Sequence, residues 1–133
     1  GAILLHSQSD FNSYGIASFE SNEAKFGGAI AAEDGGINFK GKVSFEGNYA
    51  NVSGGSVYID DGSNALFTGE VVFALNTAYY GGAAFVYGES NVSFGGDTFF
   101  ANNTAKGYGG AIDSRYDSEL IVTEKGSVSF CNN

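Results

Sequence analysis

The chain has 133 residues, of which 21 are glycine and none are proline, methionine or tryptophan; six Lys/Arg stand against fifteen Asp/Glu, a formal charge of −9. Six scattered basic residues in so acidic a chain cannot neutralise a run of phosphates, which excludes a nucleic-acid binder, and the same sign argues against docking on anionic lipid. With 43% apolar residues, twelve Phe and eight Tyr, the chain has core material for one domain and no run long enough to insert into a membrane, while Cys131 alone allows no internal disulfide.

Glycine loses the most backbone entropy on folding, so its abundance needs a structural use. The first unit of the chain opens with Gly1-Ala2-Ile3, a Gly-Gly motif lacking its first glycine, and closes on Phe19-Glu-Ser-Asn22 and Ala24. Gly27-Gly28 opens the second, with apolar residues two apart at Ile30/Ala32, Ile37/Phe39 and Val43/Phe45, then Asn48 and Ala50. Gly54-Gly55 opens the third, with Val57/Ile59, Ala65/Phe67 and Val71/Phe73, then Asn76 and Ala78. The fourth follows Gly81-Gly82 with Ala84/Val86, Val92/Phe94 and Thr98/Phe100, then Asn103 and Ala105. The fifth follows Gly109-Gly110 with Ile112/Ser114, Leu120/Val122 and Val128/Phe130, ending at Asn133. From Gly1, the second glycines are spaced by 27, 27, 27 and 28 residues, and a Phe-x-x-Asn tetrapeptide recurs in step with them in all five units.

Such a period marks a solenoid or propeller, and alternation over three to five residues bounded by Gly, Asn, Asp and Ser reads as half-buried strand. The turns are too short for a crossover helix, and three different turns recur in a fixed order, which antiparallel hairpins would not require. The pattern therefore predicts an all-β fold, a right-handed parallel β-helix (β-solenoid) of about five coils of about 27 residues with three short strands per coil. The coils are expected at 1–27, 28–54, 55–81, 82–109 and 110–133, stacked to a height of about 24 Å at ~4.8 Å per coil. Phe39, Phe67 and Phe94 should form one inward column, and Phe19, Phe45, Phe73, Phe100 and Phe130 another. The Asn column should bond amide to amide at a corner while tolerating left-handed dihedrals, and the paired glycines should permit close approach at the next corner. Outward positions are then Leu4, Ala31, Tyr58, Phe85 and Asp113 on one sheet, and Leu66, Val72, Phe99 and Ile121 on the others.

Gly-Gly-Ala-[Ile/Leu/Val] and Phe-x-x-Asn tetrapeptides repeated in phase resemble the passenger domain of the chlamydial polymorphic membrane proteins, which are autotransporter adhesins. The first motif is complete at Gly27-Gly28-Ala29-Ile30 and Gly109-Gly110-Ala111-Ile112, and departs by one residue at Gly54-Gly-Ser-Val57 and Gly81-Gly-Ala-Ala84. The second is complete at Phe19/Asn22, Phe45/Asn48, Phe73/Asn76, Phe100/Asn103 and Phe130/Asn133. The resemblance implies a β-helical passenger exported by the type V route through a C-terminal β-barrel, displayed on the outer membrane, and attached to a host cell-surface protein receptor, with both tetrapeptides implicated in adhesion. The chain starts inside one motif and stops where the next Gly-Gly is due, so it reads as a fragment of a longer solenoid whose open ends could self-associate. Sequons at Asn51, Asn91 and Asn102 would matter only in a eukaryotic surface protein.

Parallel β-helices also host polysaccharide-active enzymes, for which the nearest candidate is Asp113-Ser-Arg115-Tyr-Asp117-Ser-Glu119, where Asp113, Arg115 and Asp117 alternate. Its plainer reading is a solvated turn with an ion pair. Asp60-Asp61-Gly62-Ser63-Asn64 has the look of a calcium loop but lacks the completing bidentate acid, so a polar turn is expected. His6 has no nucleophile partner, and Cys131 sits beside an inward Phe as a buried or corner thiol, or as half of a disulfide to a further repeat, rather than as a nucleophile. No enzyme activity, catalytic residue, metal or cofactor is expected. Binding fits better: Tyr58 and Phe85 should lie one above the other on the surface as an exposed contact. The alternative is a structural spacer or filament-forming repeat that binds no receptor.

Overall fold

Backbone hydrogen bonds join residues one period apart. Val57 pairs in parallel with Ile30 and with Ala84, and Ala84 pairs with Ile112. The computed structural model describes residues 1–133, with no helix and seventeen strands. The first coil holds β1 (Ile3–Ser13), β2 (Ala17–Glu20) and β3 (Glu23–Phe26), and the second β4 (Ile30–Phe39), β5 (Val43–Glu46) and β6 (Tyr49–Ser53). The third holds β7 (Val57–Asp60), β8 (Asn64–Phe67), β9 (Val71–Ala74) and β10 (Thr77–Ala78), and the fourth β11 (Ala84–Val86), β12 (Asn91–Phe94), β13 (Asp97–Ala101) and β14 (Thr104–Ala105). The fifth contributes β15 (Ile112–Ser114), β16 (Glu119–Val122) and β17 (Ser127–Cys131).

Every strand pair is parallel, and the strands form three sheets that wall a β-solenoid of five coils. The first sheet carries β1 beside β4 and the order β15-β11-β7-β4-β8-β12-β16; the second runs β17-β13-β9-β5-β2; the third runs β14-β10-β6-β3. This departs from three strands per coil in two ways. The alanine after each Asn lies not in a turn but on a short strand of the third sheet, where Ala24 pairs with Ala50 and Ala78 with Ala105. In the first two coils the first and second strands are one, because β1 and β4 bend through the corner with their pairing interrupted only by a bulge in β1 between His6 and Ser9.

The lumen is a herringbone of phenylalanines. Phe39, Phe67 and Phe94 stack at 5.6 and 5.7 Å, and Phe19, Phe45, Phe73, Phe100 and Phe130 at 5.1, 4.8, 4.7 and 5.0 Å. The two columns meet edge to face, as in Phe39–Phe45 at 87° and Phe94–Phe100 at 86°. Each fully buried ring removes enough apolar area to contribute about 2 kcal/mol, and such offset and T-shaped pairs add to that.

At the next corner the asparagines form a closed ladder. Asn76 Oδ1 accepts from the backbone N–H of Asn48 at 2.9 Å and from its Nδ2 at 3.1 Å, while Asn76 Nδ2 donates to Asn103 Oδ1 at 2.9 Å and to the Phe45 carbonyl at 3.0 Å. The same bonds recur from Asn22 to Asn133, so each interior amide is satisfied on every side. The left-handed residue is not the Asn but the one before it: Ser21, Gly47, Leu75, Asn102 and Asn132 all have φ between 50° and 62°. A backbone turned there frees the asparagine to point along the stack.

The two glycines of each pair serve different needs. Gly54 has φ +65°, whereas a Cβ on Gly55 would collide with the Gly82 carbonyl of the next coil. A second glycine column, at the entry to the second sheet, works like Gly55. A Cβ on Gly41, Gly69 or Gly96 would strike the carbonyl of Gly15, Gly41 or Gly69 respectively, where the chain enters the second sheet.

Leu75 holds a left-handed conformation that costs an L-residue about 1 kcal/mol, and it is exposed. Leu75→Asn should therefore raise stability to urea by about that amount. Asn76→Ala orphans the Asn48 N–H and should cost about 3 kcal/mol in the same titration, whereas Asn22→Ala, at a wetter position, should cost about 1 kcal/mol. Equal losses at the two positions would show that the ladder adds nothing beyond ordinary surface hydrogen bonds.

Candidate functional site

Both tetrapeptides lie inside the structure. Gly27, Gly28, Ala29 and Ile30 are buried, as are Phe45, Asn48, Phe73, Asn76, Phe100, Asn103 and Ala111. Gly109, Gly110, Ile112, Phe19 and Asn22 are partly covered, and in the last coil Phe130 and Asn133 are exposed. The motif residues of the interior coils therefore position the chain and offer no side chain to a partner.

The outer wall differs. On β4, β7, β11 and β15 the outward residues Ala31, Tyr58, Phe85 and Asp113 form one column; Glu33 and Asp60 pair two residues further on, and Tyr87 and Arg115 follow just past β11 and β15, where their backbone N–H groups donate to the Ile59 and Val86 carbonyls. Beside them, at the corner that precedes each glycine pair, stand Phe26, Ser53, Tyr80 and Tyr108. Together these rings make a continuous shelf. Phe26 meets Tyr58 at 5.0 Å, Tyr58 stacks on Phe85 at 5.8 Å, and Phe85 stacks on Tyr87 at 6.0 Å and touches Tyr80 at 6.4 Å. Tyr80 stacks on Tyr108 at 6.1 Å, Tyr79 meets Tyr80 at 4.7 Å, and Tyr87 meets Tyr116 at 4.7 Å.

Tyr58 and Phe85 thus stack as expected, but they are not an open pair. Phe85 is only 6% exposed and Tyr58 is half-buried, because Phe26, Tyr80, Tyr87 and Arg115 close over them. The accessible rings are their neighbours Tyr79, Tyr108 and Tyr116, at 47%, 68% and 69%. The aromatic residue before Gly-Gly was the visible signal for Tyr80 and Tyr108; nothing in one dimension showed that it folds back over the next strand. Leu66 and Ile121 do face out, on β8 and β16 beyond the corner of the first sheet, as does Phe99 on the second.

Arg115 caps one end of the shelf. Its Nε and Nη2 donate to Asp113 Oδ1 and Oδ2 at 2.9 and 2.6 Å, and its guanidinium lies 4.6, 5.5 and 5.6 Å from the Tyr80, Tyr108 and Phe85 ring centres. Pairing with Asp113 holds Arg115 charged to still higher pH than usual. Asp117 does not join them: it lies in the following turn with φ 58°, which ends the alternation that put Asp113 and Arg115 on one face. At the other end, the Tyr58 hydroxyl donates to Asp60 Oδ2 at 2.5 Å, and Asp60 Oδ1 accepts from the Asp61 N–H at 2.7 Å. The Asp60–Asn64 segment is accordingly a turn whose first carboxylate is occupied. Burial, then the bond to Asp60, then the charges of Asp60, Glu33 and Asp61 push the Tyr58 hydroxyl well above its usual value of 10.0.

His6 is exposed and bonds Ser7 Oγ at 2.9 Å. Cys131 is an exposed free thiol rather than a buried one, since it faces outward on β17 while Phe130 points along the Phe column.

The model of the Chlamydia polymorphic membrane protein repeat matches residues 42–60 and 97–115. Both matched stretches run from a strand of the second sheet through the Asn corner and the glycine pair to the outward column of the first sheet, ending at Asp60 and Arg115. In these two stretches the chain is similar to that repeat. No curated protein and no solved structure gives a significant match.

The neutral form of Tyr58 is favoured in the fold, so its stabilisation is complete below pH 10 and is lost as pH rises further toward the folded value. In an alkaline titration followed by tyrosinate absorbance, the most alkaline phase should vanish in Tyr58→Phe. Persistence of that phase would assign it to another tyrosine.

Proposed function

We propose that this chain, built on polymorphic membrane protein repeats, is an adhesive module of a surface-displayed autotransporter passenger and meets a host cell-surface protein through the aromatic shelf. The observation that supports this reading is the concentration of eight rings on one outer wall, three of them well exposed, in a chain whose repeated motifs are already used to hold the coils together. Rigid aromatic side chains give large contact area at little entropic cost, which is why they dominate protein interfaces. A shelf backed by three parallel sheets is also pre-organised, so little ordering free energy is lost on binding. Within this reading the tetrapeptides act on adhesion indirectly, by setting the coil geometry that brings Tyr80 and Tyr108 beside Phe85.

Burial of the motifs equally favours a spacer that holds other segments away from the membrane, and attachment separates the two. The triple variant Tyr79→Ser, Tyr108→Ser, Tyr116→Ser should reduce attachment of the labelled chain to host cells about tenfold or more. Its far-UV circular dichroism should match the parent, and Phe99→Ser on the second sheet should attach normally. Parental attachment by the triple variant removes the shelf as the contact; no attachment by the parent supports the spacer.

A further inference from the structure

Arg115 shows what this shelf does with a cation: the guanidinium lies on three rings while a carboxylate grips it with two hydrogen bonds. The same parts recur toward the N-terminal end of the shelf without a guanidinium. There the Phe26 and Tyr58 rings lie 5.0 Å apart. Asp60 and Glu33 pair two residues past the Tyr58–Ala31 pair, as Arg115, two and three coils further on, stands two residues past Asp113. Neither acid is in an ion pair, since the chain's two pairs are Lys42–Glu70 and Arg115–Asp113. Glu33 makes no side-chain hydrogen bond either, while its charge reaches Tyr58. Asp61 and Glu89 lie in the adjoining turn, where the Asp60 carboxylate approaches Gly88. The shelf rings already attract the chain's own cations: Lys25 Nζ lies 5.1 Å from the Phe26 ring centre, and Arg115 lies over Tyr80, Phe85 and Tyr108.

We propose that the surface formed by Phe26, Tyr58, Glu33 and Asp60 seats an arginine side chain of a basic partner protein. This rests on the adhesive reading in taking the shelf as the contact surface. Arginine fits better than lysine because its planar guanidinium can stack on a ring and take the free Glu33 carboxylate in two bonds at once, with Asp60 adding charge beside it, whereas an ammonium is a compact and more strongly hydrated charge. The net charge of −9 favours the approach of a basic surface and repels an acidic one.

The test uses the whole chain and fluorescein-labelled octa-arginine, with octa-lysine of equal charge as comparison, in fluorescence anisotropy at physiological salt. Octa-arginine should bind about fivefold tighter than octa-lysine. The double variant Glu33→Gln, Asp60→Asn should lose about tenfold or more of the octa-arginine affinity. A control double variant of equal charge change on other walls, Glu46→Gln, Glu124→Gln, should lose less than about twofold. Because Asp60 also holds Tyr58, Glu33→Gln alone is measured too and should lose about threefold. Equal losses in the two double variants, or equal affinity for the two peptides, would reduce the effect to overall acidity and overturn the proposal. If the chain attaches to cells but shows no arginine preference, only this inference fails; if it prefers arginine but does not attach, only the adhesive reading fails.

Discussion

A residue of an interior coil meets its own counterpart about 4.8 Å above and below, and every other feature of the molecule depends on that register. Stacking like on like is unforgiving. A column must be made of a side chain that is content beside itself, and few are. Phenylalanine stacks face to face at 4.7 to 5.7 Å here and turns its edge toward the other column. Asparagine carries one acceptor and two donors in a plane, so it can bond the amide on each side and still satisfy the backbone of its corner. A buried column of carboxylates would repel itself, and a column of serines would leave the lumen empty. The composition of the repeat follows from these constraints more than from the requirements of any ligand.

The same register imposes the glycines. Where one coil's carbonyl points at the next coil's Cα, as at Gly55 beneath Gly82 or Gly69 beside Gly41, there is no room for a Cβ. Where the path must turn left-handed, as at Gly54, the cost of a side chain is conformational instead. Leu75 bears that cost openly, which marks the corner before the asparagine as fixed by its neighbours rather than by its own preference.

Freedom is left to the outside. Outward columns need not repeat, and they do not: Ala31, Tyr58, Phe85 and Asp113 share a column and differ in size and charge. A solenoid of this kind is a rigid frame on which one wall can be varied without disturbing the lumen. Along the first sheet that variation has produced rings flanked by carboxylates. It is also why the repeated tetrapeptides and the accessible surface are different residues, although each sets where the other lies.

The period, the strand alternation, the two Phe columns and the Asn ladder were legible in the chain itself, because each is a local pattern that repeats and its inward residues must be alike. The column of Gly15, Gly41, Gly69 and Gly96 was equally legible, and only the louder Gly-Gly pairs obscured it. The third sheet was not, since Thr77–Ala78 and Thr104–Ala105 are too short to show alternation and become strands only through the coil beside them. Nor was the burial of Phe85. Alternation assigns a residue to the outer face, but whether that face is bare depends on the rings of Tyr80 and Tyr87 and the guanidinium of Arg115, which reach it from a corner, from just past its own strand and from the next coil. The sequence by itself determined what the lumen contains and how often the chain must turn. Which outward groups close over one another was decided only by the tertiary structure, because that contact is between columns and no one-dimensional period records it.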